Sequence, residues 1–286
     1  MTATNRQKLL ITGASGGMGR ACARLLGLTY DLVLNDVSAQ GLADFAAELE
    51  RDAYTVSAVI AGDTCDDGVL ASVASALTGS RPFAVIHTAG VSPSIGDWQT
   101  IMRVNMVGTA KLMRVLEPLV VPGTVAVLIA STAGHIFPYL LEADAVMAAA
   151  LEPDLVGRMK PFIDGMCAQA GPEAAGGISY SLSKRGVLRL TERKAMEWGP
   201  KGGRVVSISP GLMLTPMGRK ELANTRGAAE TLNAAPVGRP GTAMDIAMAA
   251  QYLLSPEASF ISGSDLRVDG GSVSAMQIAA ADAAKG

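Results

Sequence analysis

Short apolar segments alternate with amphipathic segments along most of the chain. The apolar segments predict buried β-strands at residues 8–12, 32–35, 56–61, 83–87, 125–130, 204–209 and 266–268. The segments between them predict helices at 20–27, 42–51, 67–77, 98–117, 180–199 and 243–254. Strands separated by helices pair in parallel. The pattern therefore predicts an α/β fold with one domain over residues 1–286: a doubly wound, mainly parallel seven-stranded sheet with helices on both faces.

Three regions depart from this alternation. Residues 136–178 form a long insertion between the fifth strand and the next helix, with a helical pattern at 139–151, an interruption at Pro153, a short apolar stretch at 162–168 and a Gly-rich loop at 171–177. We expect this insertion to cover part of the domain. Residues 212–233 predict a mobile segment, and the Ala-rich tail from Ser272 gives no clear pattern.

Composition narrows the class of function. Hydrophobic residues make up 49% of the 286 residues, and the formal charge is −2 without a cluster of Lys or Arg, which disfavours nucleic acid and membranes as partners. The three cysteines are far apart and the two histidines lie in no ligand cluster, so no metal site is predicted. A short polar N-terminus followed by a strand predicts neither a signal peptide nor a membrane span. We expect a cytoplasmic protein whose function lies in a pocket for a small molecule.

A glycine-rich turn joins the first strand to the first helix. Its sequence runs Thr12-Gly13-Ala14-Ser15-Gly16-Gly17-Met18-Gly19, and strand, glycine turn and helix together are typical of a pyrophosphate site. Asp36 ends the second strand, where a carboxylate accepts hydrogen bonds from ribose hydroxyls. The carboxylate repels a 2′-phosphate, and no Lys or Arg at 14–18 or 37 offsets it, which favours NAD over NADP. The alternatives are a flexible connecting loop and, for Asp36, a helix cap or turn.

Further polar and small residues follow the later strands. Asp63 stands where an adenine edge could lie, although it would also suit a turn. Thr88, Ala89 and Gly90 follow the fourth strand and leave room for a cofactor, while His87 before them is expected to be a buried structural histidine. Asn105 should lie on the side of its helix that faces the protein interior, where it would bind a polar partner or a water. Ser131 follows the fifth strand without a G-x-S-x-G motif, so a serine hydrolase is disfavoured.

Tyr180 and Lys184 are four residues apart in the next helix and therefore share one face. A nearby ammonium favours the phenolate form of a tyrosine. The pair is thus suited to exchange a proton with an alcohol or a carbonyl. Alone, the spacing is common on ordinary helices; its companions at the ends of the other strands make a catalytic pair the better interpretation.

In their order along the chain, these residues resemble the short-chain dehydrogenase/reductase family, with its single Rossmann domain. The resemblance rests on Thr12-Gly13-x-x-x-Gly17-x-Gly19, Thr88-Ala89-Gly90, Asn105, Ser131, Tyr180-x-x-x-Lys184 and Pro210-Gly211. It implies that Tyr180 is the general acid or base and that Lys184 lowers its pKa and holds the nicotinamide ribose. It also implies that Ser131 orients the substrate oxygen and Asn105 holds a water of a proton relay. Pro210, Gly211 and Thr215 would lie by the nicotinamide.

The resemblance also sets expectations for cofactor, substrate and assembly. Gly16 stands where NADP-using members often carry arginine, which again favours NAD. His87 and Thr88 replace the common Asn-Asn pair, and Ser131 is separated from Tyr180 by the long insertion. The chain is most similar to the bacterial 3α-hydroxysteroid dehydrogenase/carbonyl reductase group, so we expect an apolar alcohol or ketone substrate. A 3-oxoacyl thioester reductase and a non-catalytic NAD-sensing or scaffold protein are the alternatives. Members of the family commonly form homodimers or homotetramers.

Overall fold

The computed structural model describes residues 6–79, 81–136, 140–224 and 235–285. Its strands form one sheet in the order β3-β2-β1-β4-β5-β6-β7, and every pair of neighbours is parallel. The strands are β1 Lys8–Thr12, β2 Asp31–Asp36, β3 Val56–Ala61, β4 Phe83–His87, β5 Val125–Ile129, β6 Arg204–Pro210 and β7 Asp265–Val268. The predicted fold class is confirmed. The strand order reverses between β1 and β4, and in such sheets ligands bind beyond the carboxyl ends of the strands at that point.

Helices cover both faces of the sheet and enclose two apolar cores, one on each side. The helices described are α1 Gly17–Leu26, α2 Ala39–Arg51, α3 Asp67–Leu77, α4 Trp98–Met102, α5 Thr109–Leu116, α6 Ala133–Ile136, α7 Leu141–Ala148, α8 Leu155–Ala170, α9 Ala175–Trp198, α10 Pro216–Asn224, α11 Ala243–Leu254 and α12 Ser272–Ala283. The longer helices bury apolar side chains, for example Leu42, Phe45 and Leu49 of α2 and Ile246, Leu253 and Leu254 of α11. Among the described helices, none combines the length and apolar character that crossing a membrane requires.

The predicted helix at 98–117 is interrupted by a π-turn at Arg103–Gly108, between α4 and α5. The widened turn brings Gly108 so close to the loop after β3 that a Cβ there would stand 2.9 Å from Thr64 Oγ1. Apolar periodicity does not reveal such a turn, because the residues on both sides remain helical. Single π-turns of this kind occur frequently at functional sites.

The insertion at 136–178 differs most from its predicted form. The loop expected at 171–177 is wrong: Gly171, with φ 94°, is the only break, a 3₁₀ turn spans Pro172–Ala174, and α9 already begins at Ala175. Gly176 lies in the first turn of α9, where a Cβ would stand 3.3 Å from Pro93 Cβ. The glycines in this stretch therefore permit close helix packing. Their low helix propensity is the reason that the sequence predicted a loop.

The helices α7 and α8 pack their apolar sides into the core that α5, α9 and the π-turn share. Met147 and Met159 are 2% and 0% exposed. Between these apolar contacts, Arg185 on α9 and Asp144 on α7 form a buried two-pronged ion pair, with Nε–Oδ1 2.7 Å and Nη2–Oδ2 2.8 Å. The insertion is thus an integrated part of the domain core.

Two other regions expected to be irregular also contain helices. The segment predicted to be mobile at 212–233 is helical over Pro216–Asn224, with Thr215 as its cap, and 225–233 lie outside the described residues. The tail forms α12, whose first turn is held by Asp269, the residue that follows β7. In both helices a backbone N–H of the first turn donates to the side chain of a residue just before the helix, Thr215 for α10 and Asp269 for α12.

Candidate active site

The glycine turn supplies a narrow place for an anion at the start of α1. Gly13 has φ 63°, which favours glycine, and Gly16 caps α1 without a side-chain hydrogen bond, so the first N–H groups of the helix remain directed at the turn. Gly19 lies where α1 crosses the turn: a Cβ there would stand 2.3 Å from Gly13 O. Glycines and helix N–H groups in this arrangement can hold a pyrophosphate.

Asp36 is fixed beside this turn at the end of β2. Its Oδ2 accepts a hydrogen bond from Ser15 N and its Oδ1 from Ser38 N, each at 2.9 Å, and the residue is 8% exposed. The bond to Ser38 N is the turn role considered above. The bond to Ser15 N ties the carboxylate to the glycine turn, so the residue serves both the turn and the cleft.

Asp63 follows β3, the strand that pairs with β2, and its side chain forms an ion pair with a cation that the sequence did not suggest. Its Oδ2 accepts from Arg103 Nη1 at 2.8 Å, and its Oδ1 accepts from Cys65 N at 2.8 Å. Burial raises the pKa of Asp63, but the hydrogen bonds from Cys65 and Arg103 outweigh it, so the net pKa is lowered. Arg103 was missed because residues two apart in a regular helix, such as Arg103 and Asn105, point to different sides.

These residues line a cavity of about 610 Å³ beyond the carboxyl ends of β1, β2 and β4. Most of the predicted cofactor residues border it: Gly13, Ser15, Gly16, Gly17, Met18, Asp36, Asp63, Thr88, Ala89, Gly90 and Thr215. Arg20, Arg103 and Lys220 add positive charge to its lining. The other predicted cofactor residues do not border the cavity. Gly19 packs under the turn, Pro210 and Gly211 continue the sheet towards Thr132 and Val268, and Tyr180 and Lys184 lie on α9.

Lys184 and Asn105 meet at Gly90, on the border of the cavity. A Cβ at Gly90 would stand 3.2 Å from Asn105 Oδ1 and 3.5 Å from Lys184 Nζ. Lys184 is 6% exposed and donates to Ile129 O at 2.9 Å, and its ammonium lies 5.8 Å from the centre of the Tyr180 ring. The structure therefore brings the helical pair to the ends of β4 and β5.

Asn105 has polar partners on every side, as its helical position predicted. Its Oδ1 accepts from Val91 N at 2.9 Å, and its Nδ2 donates to Val91 O at 3.0 Å and to Ser183 Oγ at 3.1 Å. The side chain thus joins the π-turn to the loop after β4 and to α9. This bridge holds the loop that contains Gly90 against the helix that contains Lys184.

Ser131 lies at the end of β5, at the start of a tight turn into α6. Its Oγ accepts from Ala133 N at 3.2 Å and its carbonyl accepts from Gly134 N. The next turn packs directly on α9, since a Cβ at Gly134 would stand 2.9 Å from Arg185 N. Ser131 Oγ therefore closes the turn two residues after Ile129, whose carbonyl accepts from Lys184.

His87 is buried, with both ring nitrogens in hydrogen bonds, as expected of a structural histidine. Its Nδ1 is 2.7 Å from Thr12 Oγ1 and its Nε2 is 2.8 Å from Thr109 Oγ1. Burial, followed by the charge of Lys184, lowers the pKa of His87 to about 3. No group of three or more His, Cys, Asp or Glu suited to a metal ion occurs within the described residues.

Comparisons with known proteins agree with this arrangement. The family model described as short chain dehydrogenase matches residues 7–142, and the one described as enoyl-(acyl carrier protein) reductase matches 165–273. The chain is 28% identical over 276 residues to the short-chain dehydrogenase/reductase bsc3 of Alternaria brassicicola, covering 94% of this chain and 96% of that protein. It is also 28% identical over 279 residues to 3beta-hydroxysteroid dehydrogenase 1 of Eggerthella lenta, with 92% of each chain covered.

Among solved structures, a short-chain dehydrogenase/reductase from Brucella melitensis described as a glucose/ribitol dehydrogenase has a TM-score of 0.70 and 25% identity, over 93% of this chain and 96% of its own. The protein belongs to the short-chain dehydrogenase/reductase family. It is an oxidoreductase that uses NAD or NADP and acts on the alcohol or carbonyl group of a small molecule.

Proposed function

We propose that the protein transfers hydride between NAD(H) and a secondary alcohol or ketone. The observation that carries the proposal is the meeting of Lys184 and Asn105 at Gly90, on the border of the cavity that the glycine turn and Asp36 enclose. The cleft is long enough for a dinucleotide. The amine and amide at one end suit the nicotinamide ribose, and the anion site with its carboxylate at the other end suits the pyrophosphate and the adenosine ribose.

The proposed chemistry assigns one task to each side chain. When bound, the nicotinamide supplies or accepts the hydride. Tyr180 gives a proton to the carbonyl oxygen in reduction and takes it from the alcohol in oxidation, and the Lys184 charge favours its phenolate form. Ser131 donates a hydrogen bond that orients and polarises the substrate oxygen. Asn105 holds the water that passes the proton from the buried Lys184 towards solvent.

The residues present fit a pyrophosphate and an adenosine ribose. A Cβ at Gly17 would stand 2.9 Å from Thr215 Cβ, so only a glycine fits between the turn and the start of α10. The absence of a side chain there keeps the path of the cofactor open. We assign the pyrophosphate to the turn, the ribose hydroxyls to Asp36, the adenine to the region of Asp63, and the nicotinamide to Pro210, Gly211 and Thr215.

Asp36 favours NAD over NADP, because its carboxylate binds ribose hydroxyls and repels a 2′-phosphate. Asp36→Asn keeps the acceptor oxygen and removes the charge. We expect this variant to lose about tenfold in NADH affinity and to gain relative affinity for NADPH, since a hydrogen bond to a charged group contributes about 1.5–3 kcal/mol. Fluorescence titration with both cofactors measures the ratio, and an unchanged ratio would contradict the assignment.

The substrate proposed is an apolar alicyclic carbonyl or alcohol, of the hydroxysteroid type. The similarity to the Eggerthella lenta 3beta-hydroxysteroid dehydrogenase supports this choice, and so do the apolar residues Val91, Ile95 and Met217 in the cavity lining. Ile95 is 52% exposed, which is a large apolar area to leave at the mouth of a cleft. An activity screen with NADH and NADPH against steroidal, alicyclic and acyl-thioester carbonyls tests it.

The second candidate is a 3-oxoacyl thioester reductase, which the match of residues 165–273 to an acyl carrier protein reductase model favours. Turnover of acyl thioesters with a preference for NADPH would reverse the ranking. A non-catalytic NAD-binding scaffold is the remaining alternative; NADH binding without turnover of any carbonyl in the screen would favour it. A cytoplasmic location and assembly into a homodimer or homotetramer stay predictions, and sedimentation velocity tests the assembly.

Tyr180→Phe is the direct test of the mechanism. It removes the phenolic proton and keeps the ring, so we expect at least a hundredfold loss of kcat, within the range of general acid–base catalysis of about 10²–10⁴. NADH binding should be retained, and Tyr252→Phe, on the distant and half-exposed face of α11, is the matched control. Full turnover by Tyr180→Phe would exclude the mechanism.

A further inference from the structure

Four buried residues form a continuous chain of hydrogen bonds behind the site. Thr12 at the end of β1 contacts His87 Nδ1 at 2.7 Å, His87 Nε2 contacts Thr109 Oγ1 at 2.8 Å, and Thr109 Oγ1 donates to Asn105 O at 2.7 Å. None of the four is more than 2% exposed. The chain therefore runs from the strand before the glycine turn to the π-turn without contact with bulk water.

The direction of each bond follows from the proton on Thr109. A hydroxyl donates one hydrogen, and that hydrogen goes to Asn105 O, so Thr109 Oγ1 accepts from His87. His87 must then carry its proton on Nε2, and its bare Nδ1 accepts from the Thr12 hydroxyl. The ring is neutral in this arrangement, in agreement with the low pKa of about 3 that burial imposes. His87 thus has one defined tautomer.

Thr109 replaces a helical hydrogen bond that the π-turn breaks. Its backbone N–H bonds to Met106 O, so it does not make the regular α-helical bond to Asn105 O. Instead, the Thr109 hydroxyl donates a hydrogen bond to the Asn105 carbonyl. In the same turn, the Asn105 side chain bridges Val91 and Ser183, and this bridge holds Gly90 beside Lys184. A substitution at His87 or Thr109 would therefore alter the hydrogen bonding of the Asn105 backbone carbonyl, and with it the position of the Asn105 side chain.

We propose that His87 and Thr109 are positioning residues that hold the π-turn, and with it the Asn105 side chain, in the arrangement that the reaction at Tyr180 and Lys184 requires. The effect of this positioning on catalysis rests on the proposed function, whereas the hydrogen-bond chain itself does not. Thr109 touches neither substrate nor cofactor in this assignment. Its effect on turnover passes through Asn105 alone.

The test compares Thr109→Val, which has nearly the same shape without the hydroxyl, with Thr109→Ser, which keeps it. We expect Thr109→Val to lower kcat about tenfold, as loss of an outer hydrogen-bond partner does at other sites. The KM for substrate and the Kd for NADH should change less than about twofold, and Thr109→Ser should restore most of kcat. His87→Leu should lower kcat to a similar extent, and the double variant His87→Leu/Thr109→Val should lose little more, because both act through one chain. Thermal melts show whether His87→Leu folds; if it does not, the Thr109 pair decides.

Nitrogen NMR of the full-length protein tests the chain independently of activity. The His87 ring should show a protonated Nε2 and a bare Nδ1 throughout pH 5–9, and Thr109→Val should shift the Asn105 side-chain amide signals while Thr109→Ser leaves them near their original positions. The proposal would be overturned if the His87 proton is on Nδ1. It would also be overturned if the Asn105 side-chain amide signals do not shift in Thr109→Val. Equal kcat for Thr109→Val and wild type would overturn its catalytic part. If the wild type turns over no carbonyl but these NMR results are obtained, the proposed function fails and the positioning of Asn105 stands.

Discussion

The buried, neutral His87 should make stability depend on pH in a window where most carboxylates do not titrate. Its pKa is about 3 in the folded protein and 6.5 when exposed. Below pH 6.5 the unfolded chain binds a proton at this residue and the folded chain does not, so stability falls as the pH falls. Linkage gives a loss of about 0.4 kcal/mol at pH 6.5 and about 2 kcal/mol at pH 5, relative to pH 8.

Carboxylates contribute less in this window, because their ordinary pKa values of 4.5 for Glu and 3.8 for Asp lie below pH 5. The pKa of Glu117 is lowered to about 2, chiefly by a hydrogen bond from Lys194, so this pair also loses stability as the pH falls. With an ordinary pKa of 4.5, such a glutamate adds only about 0.2 kcal/mol of loss at pH 5. The charge of Lys184, which faces His87, acts in the same direction as burial and keeps the ring neutral.

Urea denaturation at pH 8, 6.5 and 5 measures this dependence in the wild type, in His87→Asn and in His135→Gln. His87→Asn should remove about 2 kcal/mol of the difference between pH 8 and pH 5, whatever its stability at pH 8. His135→Gln removes the second of the two histidines of the chain and should leave the His87 contribution in place. Equal slopes for wild type and His87→Asn would refute the assignment of His87 as a buried neutral group.

Two further substitutions test packing near the site, each against a control in α8. Gly19→Ala puts a Cβ 2.3 Å from Gly13 O, so we expect NADH affinity measured by titration to fall at least about tenfold, whereas Gly165→Ala has nothing within 4 Å and should be neutral or stabilising by up to about 1 kcal/mol. Normal NADH binding by Gly19→Ala would contradict the packing argument. Asp144→Asn leaves Arg185 with a buried, incompletely paired charge and should cost about 3 kcal/mol in urea denaturation, whereas Asp164→Asn breaks an exposed pair with Lys160 and should cost less than about 1 kcal/mol. Equal costs would show that burial does not govern the Asp144 pair.

The sheet could be predicted closely because its central strands are buried on both faces. Such strands appear as continuous apolar runs, and the central strands β1 and β4 have the predicted bounds, 8–12 and 83–87. The glycine turn, Asp36 and Gly90 were predictable for a related reason: the carboxyl ends of parallel strands converge on one edge, so polar residues at those ends meet. The structure brings them to one cavity.

The features that escaped prediction depend on contacts between distant segments. Arg103 lines the cavity from the first residue of the π-turn, and Gly176, in the first turn of α9, lies close to Pro93. Neither contact leaves a periodic signal in the local sequence. The hydrogen-bond chain through His87 was also out of reach, since Thr12, His87 and Thr109 are brought together only by the pairing of β1 with β4 and by the position of α5.

The insertion links these observations to the catalytic helix. Asp144 binds Arg185, which follows Lys184 in the chain, and Gly186 leaves room for Met106 and Met147, since a Cβ there would stand 2.3 Å from Met106 Sδ. Met106 follows Asn105 in the π-turn. The insertion thus contacts the neighbours of both residues that meet at Gly90, and no described residue of α7 or α8 lines the cavity. Its physical effect on the site is therefore to brace α9 and the π-turn from behind, which explains why a pair as costly to bury as Asp144 and Arg185 lies there.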